Sequence, residues 1–272
     1  MPPEGLLHVN RHEFLRHVHR VHRPRNYLEI GVNDGRSLAL SRVPSVAVDP
    51  AFRVNTDISC DVHLVRATSD AFFAREDPLV HLRSGRNPFR ALARRDPLAL
   101  FGGDPRLELA FIDGMHLFEY ALRDFMNVER HSRWSSVIVL DDMLPRDADE
   151  AARDRHTTYW TGDVYKVVQV LRRYRPDLLV VEVDTAPTGV AVVFGADPGS
   201  EVLRKAYDRI VEEYLVSDPQ DVPEEVLVRK NAVRPEALLR ADFWPALRRA
   251  RDLRRPRSAF APLRRRIRAV TG

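Results

Sequence analysis

The segment Tyr27-Leu-Glu-Ile-Gly-Val-Asn-Asp-Gly35 constrains this chain more than any other. A run of strand character breaks into two glycines four positions apart. A second short strand, Ser45-Val-Ala-Val-Asp49, follows and ends in an acid. Glycine has no Cβ, so at Gly31 and Gly35 the chain can turn sharply and a ligand can lie close to backbone. An acid at the tip of the next strand is well placed to accept both hydroxyls of a ribose. The G-x-G-x-x-G spacing of dinucleotide enzymes needs a glycine two residues beyond Gly31, where Asn33 stands, so a dehydrogenase is disfavoured.

The rest of the chain repeats the same alternation. Short apolar runs at 26–30, 45–49, 62–67, 107–112 and 136–140 read as buried strands. Helical stretches fall between most of them: Arg36–Arg42, Ser69–Arg75 and the strongly amphipathic Leu117–Arg130. Strands alternating with helices predict a parallel sheet. Beyond a polar stretch at 143–160, expected to be a mobile loop, come a helix over Asp163–Tyr174 and strands at Leu178–Val183 and Gly189–Phe194. The tight connection between those two strands carries turn residues Asp184 and Pro187 and makes the last strand antiparallel.

With 272 residues, 44% of them hydrophobic, the chain suits one α/β domain with helical extensions. The boundaries are expected at 1–24 for an N-terminal helical extension, 25–198 for the α/β domain and 199–272 for a helical C-terminal extension. The first helix is predicted over 6–22, with Leu6, Leu7, Phe14, Leu15, Val18 and Val21 along one stripe. Its histidines include His8 and His12, four apart, but only Glu13 could complete a metal set, so solvated or substrate-lining histidines are expected. The arginine-rich stretch 80–105, with Arg83, Arg86, Arg90, Arg94 and Arg95, reads as a helix-containing excursion.

No apolar run reaches the roughly 18–20 residues of a bilayer span. The N-terminus also lacks a signal peptide's basic start and apolar core, so a cytoplasmic protein is expected. The single cysteine, Cys60, excludes an internal disulfide framework and has no adjacent Lys or Arg to activate it. Charge is asymmetric: residues 240–272 hold eleven arginines and two acids, while the remainder is mildly acidic. Such a tail can dock on nucleic acid, anionic lipid or an acidic partner, or it can be a solvated helical tail.

Three acids fall at the carboxyl ends of strands, where open α/β sheets bind ligands. Asp113 follows 107–112, and Asp141 with Asp142 follows 137–140. If the two strands are neighbours, the three carboxylates can converge and suit a hard divalent cation such as Mg²⁺.

These segments carry a family resemblance. Glu29-x-Gly31-x-x-x-Gly35 with Asp49 resembles motif I and the ribose-binding acid of class I S-adenosylmethionine (SAM) methyltransferases. Phe111-Ile-Asp-Gly-Met-His-Leu-Phe-Glu-Tyr120 with Asp124 resembles the group called type 24, related to macrocin-type metal-dependent sugar O-methyltransferases. The resemblance spans about residues 25–195. It implies a Rossmann-like α/β fold with a mostly parallel seven-stranded sheet whose last strand is antiparallel. It implies SAM bound by Glu29, Gly31, Asn33, Gly35, Asp49, Asp113 and, around the adenine, Thr68, Ser69 and Asp70. It also implies Mg²⁺ on Asp113, Asp141 and Asp142, with the metal gripping substrate oxygens.

Where the sugar enzymes carry a further acid, this chain has Met115. His116 is the nearest candidate base, with Asp113 and Asp142 as the other catalytic candidates. His116 equally suits a helix cap or a hydrogen bond that closes the pocket. Trp160 and Asp163 suit an acceptor wall, or the start of the following helix. The leading expectation is O-methylation of a sugar or other small metabolite, in a chain that can be a homo-oligomer. Methylation of nucleic acid or protein, and a non-catalytic SAM-binding module with a docking tail, stand as alternatives.

Overall fold

The computed structural model describes residues 9–84 and 106–271. Leu6, Leu7 and His8, the stretch 85–105 with Arg86, Arg90, Arg94 and Arg95, and the side chain of Arg83 lie outside the described residues.

Among the described residues, seven short strands form one sheet: β1 (Tyr27–Ile30), β2 (Ser45–Val48), β3 (Val62–Val65), β4 (Leu109–Ile112), β5 (Val137–Asp141), β6 (Leu179–Val183) and β7 (Val190–Phe194). Their order is β3-β2-β1-β4-β5-β7-β6, with β7 alone antiparallel. This is the sheet of the Rossmann-like class I methyltransferase fold. The inner strands are buried on both faces, as the continuous Val/Ile/Leu/Ala runs predict. The strand order reverses at β1, which lies between β2 and β4, so the crevice opens at the carboxyl ends of these strands.

One face carries Leu28, Ile30, Ala110, Ile112, Ile138 and Leu140. It is covered by α2 (Ser69–Phe73), α3 (Val80–Ser84), α4 (Phe118–Arg130), α5 (Lys166–Tyr174) and α6 (Val202–Tyr214). The other face carries Tyr27, Leu109, Phe111, Val137, Val139, Val192 and Phe194. In place of the helix expected over 36–42, a single 3-10 turn, Leu38–Leu40, forms between the Gly35 turn and Pro44. That face carries Leu38 with Leu40, Val43 and Phe52 beside it, and the chain ends complete its cover. It is covered by α1 (Arg11–His22), α8 (Pro235–Leu239), α9 (Phe243–Asp252) and α10 (Phe260–Thr271), with α7 (Glu224–Leu227) lying outside.

The expected extensions are therefore part of the core. Phe243, Trp244, Leu247, Phe260, Leu263 and Ile267 are all buried there, each burial contributing roughly 1.5–3 kcal/mol. Many tail arginines bond within the chain. Arg248 donates to the Val21 carbonyl and Arg251 to that of His22 (3.0 Å), at the carbonyl-rich end of α1. Arg257 reaches Asp177 and Asp197 at 2.7 and 2.9 Å, and Arg266 reaches Asp242 at 2.8 Å.

α1 starts at Arg11 because the Asn10 side chain accepts the Glu13 N–H, and it ends at a left-handed Arg23. Its histidines are not all solvated. Burial pushes His22 to about 3 and His19 to about 4, so both are neutral, and His22 Nε2–H donates to the Glu108 carbonyl at 2.9 Å. Ahead of the helix, the Ala186 N–H donates to Val9 O (3.0 Å), which ties α1 to the β6–β7 turn.

The stretch 143–160, expected to be mobile, is anchored. Glu150 is buried and accepts the Arg146 N–H, its carbonyl accepts Thr161 N–H at 2.9 Å, and Arg153 N–H donates to Asp218 at 3.0 Å. Among the described residues no helix is long and apolar enough to cross a membrane.

Candidate functional site

The glycine turn is fixed from beneath and from the side. Gly31, Asn33 and Gly35 all have left-handed backbone, at φ 85°, 47° and 85°. Asp49, half-buried at the tip of β2, accepts the Val32 and Asn33 N–H groups on one oxygen (2.8 and 2.9 Å) and the Ala51 N–H on the other (2.6 Å). A carboxylate with several backbone donors is held firmly in one orientation. The need for glycine at 31 comes first from the protein: a Cβ there would lie 1.8 Å from the Asp113 carbonyl oxygen. The turn after β1 and the tip of β4 are thus in direct contact.

Glu29 differs from its expected role. Strand alternation puts it with Tyr27 on the α1 face, fully buried. Tyr27 Oη–H donates to one carboxylate oxygen at 2.6 Å and Ser37 Oγ–H to the other at 2.9 Å. Burial pushes its pKa up to about 8. Glu29 braces the turn from below and offers no surface to the methionine part of a cofactor. Of the residues expected around adenine, Thr68 caps α2 by accepting Ala71 N–H (3.2 Å), and Asp70 pairs with Arg123 at 2.8 Å. Ser69 hydrogen-bonds the buried Asp124, which burial pushes to about 7.

The three aspartates do gather, but around a protein cation. Asp141 lies on the same sheet face as Val137 and Val139, so it points toward α1, where Arg11 Nη1 donates to its Oδ2 at 2.7 Å. The same nitrogen is 3.8 Å from Asp113 and 4.0 Å from Asp142. Asp142 is turned out of the strand by a left-handed backbone at φ 62°, and Thr188 Oγ–H donates to its Oδ1. Its other oxygen faces His116 Nδ1 at 3.4 Å, and His116 Nε2 faces Asp113 at 3.4 Å.

Asp113, His116 and Asp142 each offer one ligand atom within 4.8 Å of the others. His116 thus takes the place expected for Asp141 in the metal set. One imidazole and two carboxylates fit a divalent cation, and beside them Asp141 Oδ1 is buried with no hydrogen-bond partner among the described residues. Burial and the neighbouring acids Asp142 and Asp113 push Asp141 upward, while Arg11 opposes them.

His116 does not cap α4. Its Nδ1–H donates to the Trp160 carbonyl at 2.8 Å, and its ring stacks on Trp160 at 5.0 Å and 14°. The contact is so close that a Cβ on Gly162 would lie 1.6 Å from His116 O. Burial lowers the His116 pKa, but the hydrogen bond with Asp113 and the charge of Asp142 outweigh it and hold the value at about 9. At neutral pH this imidazole carries its second proton, so in this state it is a donor, the hydrogen-bonding one of the roles open to it, rather than a base. Nδ1 bonding to a carbonyl leaves Nε2 as the nitrogen that would meet a metal.

Asp163 also differs from expectation. It is fully buried, it accepts Phe118 N–H at 2.8 Å as the cap of α4, and it pairs with Arg153 (2.8 Å) and Lys166 (3.0 Å). It therefore forms no acceptor wall, and α5 begins at Lys166. Trp160 is half-buried, with His116 stacked on its ring at 5.0 Å and Arg155 over the ring at 5.9 Å. A groove of about 630 Å³ lies on the other side of the turn, between α1 and residues 36–57, lined by Asn10, His12, Arg16, Arg36 and Arg42.

Arg11, Thr188, Ser37 and Gly162 are parts of the site that sequence reasoning missed. Only Gly162 carried a local signal, a glycine directly before a predicted helix.

No family model and no curated protein matches the chain. Among solved structures, it is similar to an O-methyltransferase from Bacillus cereus in complex with SAH, at 14% identity over 68% of this chain and 80% of that one, with TM-score 0.39. The O-methyltransferase TomG from Streptomyces achromogenes, in complex with SAM, is 16% identical over 68% and 79%, with TM-score 0.39. The methyltransferase MycE of the mycinamycin pathway, in complex with Mg, SAH and mycinamycin VI, is 16% identical over 85% of this chain and 57% of that one, with TM-score 0.40. At these identities the likeness concerns the fold.

Proposed function

We propose that this chain is a SAM-dependent methyltransferase of the type 24 group that methylates an oxygen of a small polar metabolite such as a sugar, with help from a divalent cation. The observation that carries this reading is the arrangement at the carboxyl ends of the inner strands. The Asp49-clamped turn, the tip of β4 and the Asp113–His116–Asp142 group are contiguous, so a nucleoside donor over the turn would end beside the acids. Fold alone does not assign the chemistry; the acids at these tips support it.

When bound, SAM supplies an electrophilic methyl carbon and a divalent ion supplies Lewis acidity toward a hydroxyl. The chain's own part is orientation. Asp49 is held with lone pairs available for ribose hydroxyls while its backbone bonds keep it from rotating. Asp113 and Asp142 would hold the ion together with His116 Nε2. His116, fixed by the Trp160 carbonyl, bounds the space in which an acceptor hydroxyl must sit. Among the groups facing that space, Asp113 and Asp142 can accept the hydroxyl proton.

Isothermal titration of the full chain with SAM tests the donor assignment. Micromolar binding is expected, with at least tenfold loss in Asp49→Ala. Unchanged affinity in that variant would remove the turn from the cofactor site. Methyl transfer to a panel of sugars, lost in Asp113→Asn and restored by added Mn²⁺ after chelation of the wild type, tests the rest.

A further inference from the structure

The acid trio faces two ways. Asp113 and Asp142 each present one oxygen to Arg11, at 3.8 and 4.0 Å, and the other to His116, at 3.4 Å. Asp141 is on the Arg11 side: its Oδ2 accepts from Arg11 at 2.7 Å, and its Oδ1 is buried with no hydrogen-bond partner among the described residues.

We propose that Arg11 is a tethered cation that occupies the Asp141 side of this trio, restricts the chain to one divalent ion on the Asp113–His116–Asp142 side, and weakens the hold on that ion. The inference rests on reading that group as a metal site.

Arg11 is no loose surface side chain. It is the first residue of a helix capped by Asn10, anchored through Phe14, Leu15 and Val18, and tied to the β6–β7 turn by the Val9 and Asn10 contacts with Ala186. Its guanidinium is only 27% exposed and has three carboxylates within 4.0 Å, and an arginine keeps its charge in proteins. It is therefore charged whenever the protein is folded. An ion on the His116 side shares two carboxylates with it, and two cations a few ångströms apart in a half-buried site repel strongly. Removing Arg11 lifts that repulsion and also frees Asp141, so the trio gains a third carboxylate for the ion.

The experiment is Mn²⁺ binding, followed by EPR and by titration calorimetry with Mg²⁺ in competition, on full-length wild type, Arg11→Met, Arg11→Lys and the double variant Arg11→Met/Asp141→Asn. SAM affinity is measured on the same samples. Arg11→Met is expected to bind Mn²⁺ at least tenfold tighter than wild type, and Arg11→Lys within about threefold of it. The double variant, which deletes an ion pair of zero net charge, is expected within about threefold of wild type, because Asp141 acts on the ion through Arg11.

Equal or weaker binding by Arg11→Met overturns the proposal, as does Mn²⁺ bound by neither protein. In the latter case SAM binding shows that the methyl-donor reading stands while the metal reading falls. A double variant that loses tenfold or more makes Asp141 a ligand and also overturns it. The double variant decides the matter if Arg11→Met alone does not fold.

Discussion

Truncating Asp163 separates a structural role from a substrate role at the residue where the two were hardest to tell apart. Its carboxylate is fully buried and accepts three donors: Phe118 N–H at the start of α4, Arg153 Nη1 and Lys166 Nζ. Asp163→Ala leaves the Lys166 ammonium buried, with Gln220 Oε1 at 2.6 Å as its remaining partner among these contacts, and removes the helix cap. Breaking a buried pair from one side costs about 3–5 kcal/mol, and a lost cap about 1 kcal/mol. The two effects share one side chain and do not add fully, so about 4 kcal/mol is expected. For a chain of this size that corresponds to a fall in Tm of about 8–16 °C. Urea melts at pH 7 with an unchanged m-value would measure it. Asp163→Asn should recover the cap but not the ion pairs and fall between. A loss below about 1 kcal/mol, joined to a tenfold rise in KM for the acceptor, would refute the reasoning and return Asp163 to the acceptor wall.

Glu29 makes stability depend on pH. Its folded pKa is raised to about 8 from an ordinary 4.5, so between those values the folded state holds a proton that the unfolded chain has released. Stability therefore falls as pH rises from about 4.5 to 8, in the same sense as Asp124 up to about 7. Glu29→Gln should flatten the slope of Tm against pH over this window, and an unchanged slope would place the proton elsewhere. Deleting residues 240–272 should cause aggregation rather than leave a folded catalytic core. It bares the sheet face that α9 and α10 cover and releases the arginines that hold the end of α1. A soluble truncate with wild-type SAM affinity would contradict that.

What was legible in the sequence is what local chain geometry decides. The turn at Gly31–Gly35, the acid ending β2 and the acids after β4 and β5 are set by short-range pattern, and the hairpin at 179–194 by its turn residues. What was not legible arises from docking. Adjacent residues of a strand point to opposite faces, so Asp141 and Asp142 cannot both serve one side of the sheet unless the backbone flips between them. It does flip, at Asp142, so Asp142 lies within 4.0 Å of Arg11 beside Asp141 and also faces His116 at 3.4 Å. Nothing near Arg11 in sequence marks it as the partner of an acid 130 positions away. Its place follows from how the α1 face of the sheet is covered. The connection between β1 and β2 supplies Leu38, Leu40 and Val43, and both ends of the chain complete the cover. α9 then grips the carbonyl end of α1 through Arg248 and Arg251, while the Asn10 end of the same helix delivers Arg11 to the acids. The charge balance at the candidate metal site is therefore set partly by the arginine-rich tail, which composition left as a solvated helical tail or a docking arm.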